Sequence, residues 1–238
     1  MQPVTIFHTT DMHGRLKSFS TLNKLENKKL LFDSGDAIKG SNIFYYKNEP
    51  ILSAMNSVPF TAMAWGNREF NYSSKVLKKR LESISFPVLS ANIVNTLVSD
   101  LLKPFILLDY EGLKVAVTAL SPIQYGKNSF LAKLSGSKFL PYEEALENLF
   151  KNDDFNNSDF IILLSHAGFH EDLILAEKHP HINLILGGHS HLKFRKPIIR
   201  NNVYICQSGA LGKSIAKYKF NFNNGNISDF ETEHIETI

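Results

Sequence analysis

Seven side chains in this sequence have types and spacings suited to binding metal ions. They are Asp11 and His13 in Asp11-Met12-His13-Gly14, Asp36 in Asp33-Ser34-Gly35-Asp36, and Asn67 in Gly66-Asn67-Arg68-Glu69, followed by His166 in Ser165-His166-Ala167-Gly168 and His189 and His191 in Gly187-Gly188-His189-Ser190-His191. Imidazole and carboxylate are ordinary ligands of zinc, manganese and iron. On extended backbone, residues two apart project the same way, so Asp11 and His13 reach one ion and His189 and His191 face one centre. A carboxylate has two oxygens and can bridge two ions. Seven such ligands with one bridging carboxylate give four protein bonds to each of two ions. Ions about 3.5–4 Å apart can clamp both the attacking and the leaving oxygen of a displacement at phosphorus. One His-x-His or Asp-x-His alone carries little weight. Five blocks together do, because clustered buried charge needs partners or metals.

Each block follows a short apolar run that reads as a strand: Val4 to Thr9, Lys29 to Phe32, Thr61 to Trp65, Phe160 to Leu164 and Ile182 to Leu186. In sheets with helical crossovers, ligands bind beyond the carboxyl ends of strands. Helices are expected at Arg15 to Lys28, Ile51 to Ser57, Ser73 to Ser85, Tyr142 to Phe150 and Asp172 to Lys178. Further strands are expected at Val88 to Val94 and Val203 to Gln207. Two hairpins are expected, one around Glu111-Gly112 joining Pro104–Asp109 to Leu113–Leu120, the other across Asn223-Asn224-Gly225 joining Ala216–Phe222 to Ile227–Glu233. The pattern predicts mixed sheets with helices packed outside, an α/β architecture in a single domain over residues 1–238.

Composition narrows the function. At 43% hydrophobic and 21% charged, the chain is globular rather than disordered. Its net charge of +3 is too small to imply a long nucleic acid as partner. No run is apolar enough to span a membrane, and residues 1–5 do not open a signal peptide, so a cytoplasmic location is expected. The lone Cys206 excludes an intrachain disulfide or a cysteine zinc cluster and reads as a small buried apolar residue. Of the other histidines, His8 has the opposite strand parity to Asp11 and His13, so it reads as a core residue or as a support behind the ligands. His170, His179, His181 and His234 read as surface residues. Asp33 either caps a turn or holds a hydrogen bond behind the ligands.

In order, Asp-x-His, Gly-Asp, Gly-Asn, His and Gly-His-x-His resemble the motif set of the calcineurin-like metallophosphoesterases. The chain is most similar to the catalytic domain of the 5′-nucleotidase group, which Ser90-Ala91-Asn92-Ile93 and Gln207-Ser208-Gly209-Ala210-Leu211-Gly212-Lys213 also suggest. The resemblance implies a four-layer α-β-β-α sandwich of two mixed sheets flanked by helices. It also implies two divalent ions (Mn²⁺, Zn²⁺ or Fe), one held by Asp11, His13, Asp36 and His191, the other by Asp36, Asn67, His166 and His189. Asp36 is then the bridge, and a hydroxide between the ions attacks phosphorus in line. The group's usual nucleoside-recognition domain and secretion signal are not expected here.

The block usually written Gly-Asn-His-Glu reads Gly66-Asn67-Arg68-Glu69 here, and the acid that supports the usual His falls at Asn71. Arginine stays protonated and cannot act as a general acid near neutral pH. It can clamp phosphoryl oxygens. The loss of general-acid help, roughly 10²–10⁴-fold for a poor leaving group, favours anhydrides or activated diesters over monoesters. A similar Gly-Asn-Arg block occurs in the family's UDP-2,3-diacylglucosamine pyrophosphatases. Arg68 and Asp36 are thus the expected catalytic residues, and Asn67, Arg68, Asn92 and Arg15 (with Tyr125) the expected substrate contacts. The substrate is expected to be a small phosphorylated compound such as a nucleotide derivative. A 5′-nucleotidase-type phosphomonoesterase and a non-catalytic metal-binding or protein-interaction scaffold are the alternatives.

Overall fold

The computed structural model describes residues 2–25, 30–40, 48–70, 73–94, 97–98, 100–124 and 130–237. Asn71 and Tyr125 lie outside them. The elements run in the order β1 (Gln2–Thr9), α1 (Ser18–Lys24), β2 (Leu31–Asp33), α2 (Pro50–Asn56), β3 (Ala62–Ala64), α3 (Ser74–Glu82), β4 (Val88–Leu89), β5 (Ile93–Val94), β6 (Leu102–Lys103), β7 (Phe105–Tyr110) and β8 (Leu113–Leu120). They continue with α4 (Phe130–Ser135), β9 (Lys138–Phe139), α5 (Tyr142–Phe150), α6 (Asp153–Asn156), β10 (Phe160–Ser165), α7 (Phe169–Lys178), β11 (Leu184–Gly187), β12 (Ile198–Arg200), β13 (Val203–Gln207), β14 (Ser214–Asn223) and β15 (Asn226–Glu236).

Two mixed sheets form the frame. The first has the order β15-β14-β1-β2-β3-β4-β6, the second β12-β13-β11-β10-β8-β7. In the first, β1, β2 and β3 are parallel neighbours. In the second, β8, β10, β11 and β13 are parallel neighbours. Side chains alternate faces along a strand, and this alternation builds the layers. Val4 and Ile6 of β1, Val115 and Val117 of β8, Phe160, Ile162 and Leu164 of β10, and Tyr218 and Phe220 of β14 fill the core between the sheets. Phe7, Leu31 and Met63 point the other way, onto Phe19, Leu22, Ile51, Met55, Leu77 and Leu81 of α1, α2 and α3. Ile161, Leu163 and Ile185 pack outward onto Leu146, Leu149, Phe155 and Leu175 of α5, α6 and α7. Three apolar seams between four layers give the expected α-β-β-α sandwich.

Local expectations needed correction in three places. The helix expected over 15–28 is α1, because residues 12–15 first close a turn, with Arg15 N donating to Met12 O at 2.9 Å, and Leu25 is already extended. The strand expected over 88–94 divides into β4 and β5, which belong to different sheets. Asn92 causes the division: it is fully buried, and its amide accepts from Ser121 N (2.8 Å) and donates to Ser121 O (2.8 Å). The polar segment 152–158, for which the sequence pattern gives no helix, holds α6, where the Asn152 side chain accepts from Phe155 N. Both expected hairpins form, with Glu111 and Gly112 at φ 55° and 87°.

Candidate metal centre

Parallel β1, β2 and β3 of one sheet and β10 and β11 of the other end on the same rim, and their exits carry the seven residues. The exits are not extended. Asp11, His13, Asp36, His189 and His191 have φ of 51°, 49°, 54°, 66° and 56°. Strand alternation therefore does not explain why the paired residues converge. Left-handed turns do, and such conformations at non-glycine residues cost on the order of 1–2 kcal/mol each. Strain of this kind concentrates at functional sites. Interlocking backbone bonds hold it: Asp11 N to Gly35 O (2.9 Å), His13 N to Asp36 O (3.0 Å) and Leu211 N to Asp11 O (2.7 Å). Gly66 is required where it stands, since a Cβ there would strike the backbone N and Oδ1 of Asp36.

The donor atoms form two adjoining corners. Asp11 Oδ1 lies 3.2 Å from His191 Nε2 and 3.6 Å from His13 Nε2, and those two nitrogens are 3.1 Å apart. On the other side, His166 Nε2 lies 3.8 Å from Asp11 Oδ1 and 3.3 Å from Asp36 Oδ1. Asn67 Oδ1 sits 2.9 Å from His189 Nδ1, and the His189 and His166 rings are 5.2 Å apart. The atom common to both corners is Asp11 Oδ1, whereas the sequence resemblance gives the shared place to Asp36. Asp36 turns its Oδ2 toward Arg68 Nε at 3.6 Å and accepts from Arg68 N with Oδ1 at 2.7 Å.

Two observations test whether these residues suit metal ions. Asp11 Oδ1 and His166 Nε2 are buried, have no hydrogen-bond partner, and face one another. Such atoms are costly unless something occupies the space between them. The charge is also unbalanced. Burial pulls the His166 imidazole down, yet Asp36 and Asp11 override it and lift His166 to about 10. Burial pushes the Asp11 carboxyl up, but the neighbouring imidazoles of His13, His191 and His166 take it well below the usual carboxylate range. The cluster thus recruits positive charge wherever it can. Nitrogen and oxygen donors without sulfur suit divalent manganese, iron or zinc, so the donor set fits.

A surrounding set of hydrogen bonds aims the donors. His166 Nδ1 lies 2.5 Å from Ser34 O, which leaves Nε2 for the centre. Asp11 Oδ2 accepts from Thr10 Oγ1 (2.8 Å) and His189 N (2.9 Å). His8 supports this set from the core: its Nε2 contacts Ser34 Oγ at 2.9 Å, and Ser34 Oγ donates to Leu186 O at 2.6 Å, across to the second sheet. Burial holds His8 down to about 3. Asp33 accepts from Thr9 Oγ1 (2.7 Å) and Gly35 N (2.9 Å), so it both pins a turn and stands behind the ligands.

Two supports were missed in the sequence. Glu69 is fully buried and accepts from Asp36 N (3.0 Å), Gly66 N (2.9 Å) and Ile38 N (3.1 Å), joining the exits of β2 and β3. Burial and the nearby Asp36 push it up to about 7. Asp172 accepts from Ser165 Oγ (2.5 Å) beneath His166, and burial pushes it up to about 7. Glu69 does carry a signal: an acid between a ligand block and the apolar Phe70. Asp172 carries none, since an acid in the first turn of a helix is ordinary.

The other expected contacts are placed as follows. Arg68 lies at the edge of the centre, its Nη1 donating to Lys39 O (3.1 Å) and Gly40 O (3.5 Å). Arg15 is exposed just beyond Gly14. Asn92, expected at the substrate, instead spends its amide on Ser121, whose Oγ donates to Trp65 O ahead of Gly66. His170 and His181 are exposed, but His179 stacks on Phe150 and His234 Nε2 bonds Phe194 O at 2.7 Å, so those two are half-buried. Cys206 is buried. Among the described residues, no helix is long and apolar enough to cross a membrane.

The chain is similar to known proteins in sequence and in fold. The calcineurin-like phosphoesterase family matches residues 4–193. The 5′-nucleotidase of Vibrio cholerae is 28% identical over 94% of this chain and 50% of its own length. The NAD 5′-nucleotidase of Haemophilus influenzae is 31% identical over 80% of this chain and 33% of its own. The chain thus spans half or less of the length of these two curated relatives. The crystal structure of a 5′-nucleotidase precursor from Thermus thermophilus superposes with a TM-score of 0.79, at 21% identity, covering 99% of this chain and 55% of that one. With five strand ends carrying Asp, Asn and His on one rim of a four-layer sandwich and a family match over most of its length, this chain belongs to the calcineurin-like phosphoesterase family.

Proposed function

We propose that this protein is a dinuclear-metal-dependent hydrolase of phosphate esters or anhydrides that favours diesters and pyrophosphates, such as nucleotide derivatives, over monoesters. The observation that carries the reading is the convergence of Asp11, His13, Asp36, Asn67, His166, His189 and His191 around the unpartnered Asp11 Oδ1 and His166 Nε2. Asp11, His13, Asp36, Asn67, His166, His189 and His191 would together hold the two ions. Bound there, two divalent ions supply Lewis acidity toward phosphoryl oxygens and a water acidic enough to attack near neutral pH.

The protein's own groups set the rest. Asn67 fixes His189 at 2.9 Å. Arg68 neutralises part of the Asp36 charge and presents a permanent cation to the phosphoryl oxygens. It holds no proton that it can give up, so a leaving group must depart as a stable anion. Diphosphates and phenolates do so, and simple alkoxides do not. A cytoplasmic setting belongs to the same reading, and cell fractionation tests it.

A phosphomonoesterase is the second reading, supported by relatives named as 5′-nucleotidases. Turnover of p-nitrophenyl phosphate, bis(p-nitrophenyl) phosphate and a nucleotide sugar by Mn²⁺-loaded protein separates the two. We expect the diester and the nucleotide sugar to exceed the monoester, and Arg68→Ala to depress diester cleavage by about 10²-fold. A monoester preference together with intact diester cleavage in Arg68→Ala overturns the proposal.

A further inference from the structure

Apart from the metal centre, a cavity of about 480 Å³ opens between α2 and α3. Both helices spend their apolar faces on the first sheet, α2 through Ile51 and Met55, α3 through Leu77 and Leu81. The cavity between them carries charge. Lys75 and Lys79, one turn apart on α3, line it with exposed side chains. Arg80 lines it too, with only 7% of its side chain exposed. Pro50, Leu52 and Val76 supply an apolar wall. Arg68 and the seven donor residues of the metal centre are not in its lining.

The charge around this cavity is unbalanced. Its one acid is Glu49, whose Oε1 lies 3.7 Å from Arg80 Nη2. That carboxylate also serves elsewhere, accepting from Lys39 N at 3.0 Å and from Gly40 N at 2.9 Å. Lys78, which does not line the cavity, pairs with Glu82 one turn along the helix. Lys75 and Lys79 pair with no acid among the described residues. Three cations around one shared carboxylate favour an anion of two charges, and cations gathered in a concave site concentrate such anions. A guanidinium fork on the cavity wall matches phosphoryl oxygens. The volume falls within the roughly 300–1,000 Å³ of small-molecule sites, which combine an apolar lining with a few polar groups.

We propose that this cavity is a second ligand site, separate from the metal centre, for a small phosphorylated compound. Its phosphoryl dianion sits on Lys75, Lys79 and Arg80, and its apolar part lies against Pro50, Leu52 and Val76. Binding there needs no metal ion, so the site stands or falls independently of the hydrolytic reading above.

The test titrates three probes calorimetrically into the full chain, with and without Mn²⁺, at mildly alkaline pH where a phosphonate carries both charges. Benzylphosphonate resists hydrolysis and has both features, inorganic phosphate lacks the apolar part, and phenylacetate lacks the second charge. Without Mn²⁺, benzylphosphonate should bind with a Kd of about 1 mM or tighter. Phosphate and phenylacetate should each bind about 10-fold more weakly. The same binding should persist with Mn²⁺, beside whatever the centre adds. The double variant Lys75→Gln, Lys79→Gln should weaken it about 10-fold, while a control of equal charge loss, Lys151→Gln, Lys219→Gln, should leave it unchanged. Unchanged melting temperatures establish that both variants fold. Amide resonances of residues 75–83, rather than 187–191, should move on binding. The proposal is overturned by binding that appears only with Mn²⁺, by equal loss in the two variants, or by either simpler probe matching benzylphosphonate. Resonance shifts confined to 187–191 overturn it as well.

Discussion

The two sheets meet the centre with different chemistry. The first supplies both carboxylates, the amide of Asn67 and one imidazole. The second supplies imidazoles alone, His166, His189 and His191. Their supports differ in the same way. On the first sheet, Glu69, Asp33 and Glu49 grip backbone N–H groups of residues 35–40, Glu49 holding Lys39 N (3.0 Å) and Gly40 N (2.9 Å). On the second, neutral hydroxyls serve, with Ser190 Oγ accepting from Phe169 N at 2.7 Å and Ser165 Oγ resting on Asp172. One half is an anionic pocket that needs cations. The other brings imidazoles and no carboxylate of its own to the centre, already aimed at that pocket. Charge and aim are thus separated between two sheets, and either can be removed while the other is kept.

The largest expected effect follows from removing charge. Asp36→Asn should lower metal affinity and turnover by more than about 10²-fold, exceeding the 10–100-fold typical of residues that only orient ligands. His191→Asn, which leaves the net carboxylate count intact, should cost less. Calorimetric Mn²⁺ titration ranks the two, and the reverse order breaks the division of labour. Next comes Glu69→Gln, which places an amide N–H₂ where backbone N–H groups now donate. About 10-fold weaker Mn²⁺ binding with an unaltered far-ultraviolet spectrum is expected. An unchanged affinity would make Glu69 a folding residue only.

Opposite pH dependences sharpen the comparison further. His8, on β1, is held down to about 3 by burial. Its folded value lies below its unfolded one, so stability is complete above about pH 6.5 and is lost as pH falls toward 3. Asp172, under the second sheet, is pushed up to about 7 by burial. Its stability is complete near pH 4 and is lost as pH rises to 7. Each effect is on the order of 4–5 kcal/mol at most. Urea midpoints should show His8→Leu flattening the acid limb and Asp172→Asn flattening the limb between pH 4 and 7. If either substitution flattens the other's limb, the assignment of sign to sheet is wrong.

Much of this was legible in the sequence because glycine and ligand residues punctuate apolar runs. Gly187-Gly188-His189-Ser190-His191 after Leu184–Leu186 leaves few alternatives, and the apolar runs at Val4 to Thr9 and Phe160 to Leu164 became the buried strands β1 and β10. What escaped was conformation and burial. The paired ligands were credited to strand alternation, yet Asp11, His13, His189 and His191 occupy left-handed turns that no spacing rule reports. Asn92 reads as a loop residue open to substrate, but its value to the fold is a saturated amide that ends one strand and begins another. Glu69 and Glu49 act on backbone N–H groups far away in sequence, and backbone donors leave no trace in residue type.

The left-handed turns also bear on how this protein tolerates substitution. At Asp11, His13, Asp36, His189 and His191 the backbone is held in a conformation that glycine enters without strain. In the metal-free protein, glycine there should raise the melting temperature while abolishing ion binding, so a screen for solubility or expression would enrich the inactive variants. At Asn67 and His166, where φ is not positive, no such reward exists and truncation should be neutral or harmful. Selection for function at the five turns therefore acts against a standing thermodynamic pull toward a sturdier, inert protein.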